Sequence, residues 1–156
     1  MDNILNKILH LTSVNMQHAN LILKVTLQIK DHIKSESVNS LNDAIALRQK
    51  HIKDVSATKD AIDANVGQLK ARYMVGSVEE IDTSRHPKAG EILDVGARTR
   101  AIYKEIYHID EENRKGAEIL IRNYKDELKD IHSSKRVTDV YKKHNEGRSM
   151  ILNKLK

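Results

Sequence analysis

The chain has 156 residues, enough for one domain that buries roughly 68 to 70% of its unfolded surface. It contains no Phe, Trp or Cys, so aliphatic side chains and Tyr must fill the core, and disulfide frameworks, thiolate metal sites and cysteine nucleophiles are excluded. The formal net charge of +5 resides in residues 135–156, where seven Lys/Arg face Asp139 and Glu146, and the preceding residues sum to zero.

Helix breakers are scarce: Pro87 is the sole proline and Gly67 the first glycine, so long helices are expected. The first opens near Asp2, a plausible cap, and carries Ile4, Ile8, Leu11, Ile22, Val25 and Ile29 in one row beside Leu5, Leu9, Met16, Ala19 and Leu23. Such spacing makes one broad buried face. Asn15 and His18 interrupt it with polar groups that are expected to fix register through hydrogen bonds, as are Thr99 and Asn113 further on. The longest stretch without charge, Ile8 to Leu23, is broken by polar residues, so no membrane insertion and no signal peptide are expected.

The segment Ser35 to Ser40 is turn-rich, and Ser40 with Asp43 suggests a capping box from which a second helix starts. Leu41, Ile45, Ile52, Val55, Ile62, Val66 and Leu69 then keep heptad spacing, with Arg48, Gln49 and Lys50 expected on the solvated flank. Helical periodicity stops between Gly76 and Gly90, where Ser77 to Glu80 offers a short turn before Pro87. A third helix follows on Ile92, Val95, Thr99, Ile102, Ile106, Ile109, Asn113, Gly116, Leu120, Leu128 and Ile131. Ser133 and Ser134 either cap a fourth helix or pass inside a continuous one. The predicted fold is all-α, an antiparallel bundle of three long helices over residues 1–134. A basic amphipathic C-terminal helix, residues 135–156, belongs to the same domain.

That last helix would carry Val137, Tyr141, His144, Ile151 and Leu155 at three- and four-residue steps, with Val140 alongside, between the cations. This is a docking stripe. Its candidate occupants are the bundle itself, another protein or an acidic polymer.

Signals for chemistry are sparse. Glu105 and His108 form one E-x-x-H step, whereas helical di-metal sites need two such steps and two more glutamates, so no metal and no other cofactor are expected. The six glycines never fall into a phosphate-loop pattern and no G-x-S-x-G elbow occurs. The loop with Asp82 and His86 is the one place where catalytic groups gather. An enzyme with a small-molecule substrate is not expected. Nucleic acid is not favoured either, because the basic segment lacks interleaved aromatics and no helix-turn-helix unit is present.

The run Asn113, Arg114, Lys115, Gly116, Ala117, Glu118, Ile119, Leu120 resembles the N-x-x-N-G-x-L-L signature of FlgN-type flagellar export chaperones, with Gly116 at the second asparagine and Ala117 at the glycine. Downstream, Ser134 to Tyr141 is similar to that family's short basic stretch ending in a tyrosine. The related FliT-type chaperones share the size, helix count and C-terminal docking helix. The resemblance implies a cytoplasmic, cofactor-free protein, monomeric or weakly dimeric. Such a protein binds hook-filament junction proteins before secretion and delivers them to the flagellar export apparatus. It also implies Tyr141 as a contact with the export gate. The alternatives are a self-associating helical scaffold and a nucleic-acid-associated helical protein.

Overall fold

A computed structural model describes the backbone of residues 1–153 and the side chains of residues 1–139. The described residues form three long α-helices, α1 (Asp2–Lys34), α2 (Val38–Tyr73) and α3 (Pro87–Asn153), and one short 3₁₀ turn at Val78–Glu80. The fold class is all-α, and no strand occurs among the described residues. The chain divides into two compact units, Met1–Gly116 and Ala117–Lys156, and α3 contributes to both.

Within the first unit, the Met1 amino group meets the Tyr73 hydroxyl and His18 faces Asp54, so α1 and α2 run in opposite directions. Asp2 with His86, Asn6 with Lys88 and Lys30 with Glu112 set α3 beside α1 in the same direction. The turn between α1 and α2 is tight, with Glu36 in the left-handed region at φ 55°. The second helix starts at Val38, two residues before the expected Ser40 cap, and Ser40 instead shares a hydroxyl contact with Ser37 at 3.1 Å.

Apolar packing concentrates at the two ends of the unit. Ile4, Leu5 and Ile8 pack with Leu69, Val78, Ile81, Ala89 and Ile92 at the loop end. Val25, Ile29 and Ala44 pack with Ile33 and Leu41 at the turn end. Between them the half-buried Asn15 and His18 and the buried Thr99 alternate with the buried apolar Ala19, Ile22 and Ile106. Thr12, Thr26 and Thr99 are buried and return their hydroxyls to the carbonyls of Ile8, Ile22 and Val95 four residues back, which satisfies the side chain without a partner from another helix.

The inward row of α2 differs from the heptad reading. Ile45 and Ile52 are exposed, while Ala44 is buried and Arg48 and His51 are half-buried. Arg48 is not a solvated flank: its guanidinium pairs with Asp110 of α3 at 2.5 Å. The third helix begins at Pro87, a residue suited to a first helical position because its missing N–H would have no partner there. Ser133 and Ser134 lie inside α3, and Ser133 donates to the Asp130 carbonyl at 2.9 Å, so the serines do not start a fourth helix.

Candidate functional site

Among the described side chains of the second unit, residues 117–139, most apolar groups are exposed. Ile121, Tyr124, Leu128 and Ile131 follow one another at steps of three, four and three, the spacing of a coiled-coil seam, and all four are exposed. The buried row expected along the third helix therefore ends at Leu120, not at Ile131. Within the first unit, Ile33, the last apolar residue of α1, stands opposite Gly116.

Of the predicted docking residues, Val137 is described and is 56% exposed. The side chains of Val140, Tyr141, His144 and Ile151, and all of Leu155, lie outside the described residues. The motif residues behind the family resemblance divide by role. Asn113 is buried and donates from Nδ2 to the Thr26 carbonyl at 3.0 Å. Gly116 faces α1 closely, since a Cβ there would sit 3.0 Å from a methyl of Ile33. Ala117 is half-buried, Leu120 buried and Ile119 exposed.

The polar middle of the first unit holds an unusual set of atoms. Asn15 Oδ1, His18 Nδ1, Arg48 Nε, His51 Nδ1, Tyr103 Oη and Asn113 Oδ1 are buried without a hydrogen-bond partner. Burial alone pushes the Tyr103 hydroxyl above its ordinary range. His18, His51 and Asp54 converge across α1 and α2. The expectation that these polar residues fix register through hydrogen bonds is met by Asn113, which bonds across to α1, and not by Asn15 Oδ1 and His18 Nδ1, which have no partner, or by Thr99, which bonds only Val95 of its own helix. The E-x-x-H pattern does not cover this cluster, because His51 and Asp54 form an H-x-x-D step and His18 comes from another helix. The sequence signal was that H-x-x-D step, together with an inward histidine on α1.

Glu105 and His108 are both exposed on α3. In the loop, Asp82 accepts from the Ser84 amide at 3.0 Å and from the Ser84 hydroxyl, and the hydroxyl first, then the amide, hold its carboxyl below the usual range. His86 is joined to Asp2 at 3.0 Å. The Asp82 carboxylate and the His86 ring thus have different side-chain partners, Ser84 and Asp2. A cleft of about 270 Å³ opens beside the 3₁₀ turn, lined by Ile62, Val66, Leu93, Lys70, Glu79 and Arg100 among others. Glu79 is held below the usual glutamate range by a backbone hydrogen bond and then by Ser77, with smaller help from Arg100 and Lys70.

Among the described residues no helix is long and apolar enough to cross a membrane. Comparison with protein-family models, with curated proteins and with solved structures returns no match.

Proposed function

We propose that this protein binds amphipathic helices of client polypeptides, as a chaperone that resembles the FlgN and FliT types and keeps hook-filament junction proteins soluble before flagellar export. The observation that carries this reading is the exposed seam of Ile121, Tyr124, Leu128 and Ile131 on α3. A helix that displays apolar groups at seam spacing loses free energy by leaving them in water, and pairing with a second amphipathic helix recovers it. The charge of residues 135–156 favours a client helix with acidic flanks, acting mainly on association rate and choice of partner. In this reading the first unit is the mount, and the cytoplasm is the compartment in which clients await export.

The test is titration of a purified hook-filament junction protein into the full chain and into two variants, Leu128→Ser with Ile131→Ser, and a truncation lacking residues 135–156. Each variant is expected to weaken binding at least about tenfold, the equivalent of ~1.4 kcal/mol, with the melt of the remaining helices nearly unchanged. Equal affinity in all three proteins rejects the proposal. A wild-type dimer that dissociates in the double variant, without any client binding, favours the self-associating scaffold instead.

A further inference from the structure

One group of side chains in the first unit has the chemistry of a metal site. His18 projects from α1, and His51 and Asp54 stand one turn apart on α2, so the latter two share a face. One ligating atom from each of the three lies within 4.8 Å of the others. Both His18 Nδ1 and His51 Nδ1 approach the same oxygen, Asp54 Oδ2, at 4.0 and 3.9 Å. The rings are inclined by 44° with centroids 5.9 Å apart, so they converge and do not stack.

Those separations exceed hydrogen-bond distance, and both nitrogens are buried with no partner. Leaving two such groups unpaired is costly, and a single cation placed between them and the carboxylate satisfies all three. A tetrahedral ion with bonds of about 2.0 to 2.2 Å holds its ligand atoms roughly 3.3 to 3.6 Å apart, so the two His–Asp54 separations close with side-chain adjustments of about half an ångström and the third pair, within 4.8 Å, with at most about 1.5 Å. Two imidazoles and one carboxylate suit zinc-class ions, whereas calcium and magnesium prefer all-oxygen sets. The Asp54 side chain is 42% exposed, which gives an ion a path from solvent and a water ligand a place in the fourth position.

We propose that His18, His51 and Asp54 bind a zinc-class divalent ion that ties α1 to α2 at the middle of their hairpin. The ion would act between the loop-end and turn-end clusters. Ligation through Nδ1 leaves each Nε2–H free to donate to its surroundings, as metal-bound histidines require. This inference is independent of the client-binding proposal, because it concerns side chains of α1 and α2 alone.

The test uses the full chain without an affinity tag, stripped with EDTA and titrated with Zn²⁺ by calorimetry and with Co²⁺ by visible absorption. One ion per chain is expected, with the absorption of four-coordinate Co²⁺ and a rise in melting temperature that EDTA reverses. His51→Ala and the nearly isosteric Asp54→Asn should each weaken binding about tenfold or more while circular dichroism shows helicity retained. Replacing the exposed His10, His108 and His132 together by Ala should leave stoichiometry and affinity unchanged. Absence of saturable binding overturns the proposal. So does affinity that survives both cluster variants or disappears with the exposed histidines. A melting temperature that responds to acidity but ignores Zn²⁺ also overturns it, and makes the cluster a proton-held clamp on Asp54.

Discussion

The side-chain amide of Asn113 on α3 donates to the main-chain carbonyl of Thr26 on α1 at 3.0 Å, joining two buried residues from helices far apart in sequence. The other amide atom, Asn113 Oδ1, has no partner, so the contribution is smaller than a fully satisfied amide gives. Asn113→Ala should lower stability by about 1 to 2 kcal/mol, read from urea denaturation, through the lost hydrogen bond and the space left behind. A leucine substitution that matches or exceeds wild-type stability would show that the amide serves register more than stability.

Arg48 and Asp110 pair across α2 and α3 with side chains 25% and 36% exposed. Solvent screening limits such a pair, while the buried Arg48 Nε and its stem add packing. Arg48→Ala should cost about 1 kcal/mol, Arg48→Met less, and the difference between wild type and Asp110→Asn should shrink in high salt. Thermal melts at two ionic strengths check this.

Met74 ends α2 in the left-handed region at φ 52° and is 95% exposed. Glycine adopts that conformation without the Cβ penalty and is the usual residue there. Met74→Gly should raise stability by about 0.5 to 1 kcal/mol, since no packing is lost, and an unchanged or lowered denaturation midpoint would count against strain at this position.

Glu112 is held below the ordinary glutamate range first by its hydrogen bond to Lys30 and then by that ammonium's charge. A carboxyl with a depressed folded-state value contributes stability above its unfolded value, and that contribution is lost as pH falls through the folded value. The Glu112 side chain is exposed and screened by solvent, so the effect is small for the fold and is best read locally on the acid side. Carboxyl carbon shifts across an acid titration should place its midpoint below that of a free glutamate, and Lys30→Met should move it back up.

The row on α1 was legible because a 3.6-residue period is local information. Ile4, Leu5, Ile8, Ala19, Ile22, Val25 and Ile29 are all buried as the spacing predicts. The break before α3 was equally legible from Pro87 and from the loss of apolar spacing. On α2 the same reasoning chose Ile45 and Ile52, which face water, over Arg48 and His51, which face inward. An inward arginine is stable there only because Asp110 meets it, and no pattern within α2 reveals a partner on α3. The His18, His51 and Asp54 cluster was hidden for the same reason, and the exposed seam at Ile121 to Ile131 because its spacing is that of a core row. Periodicity states that a face is apolar, whereas the supply of neighbours decides whether it is covered.

The two hydrophobic clusters of the first unit have a consequence for local opening. Hydroxyls, imidazoles and a guanidinium lie between the two clusters beside the buried Ala19, Ile22 and Ile106, so cooperativity must pass through a waist of mixed polarity. The loop-proximal and turn-proximal halves should therefore open as separate units under native conditions. Amide exchange would register this as two free-energy plateaus along α1, one around Ile4 to Ile8 and another around Val25 to Ile29, and anything that tightens the waist should merge them into one.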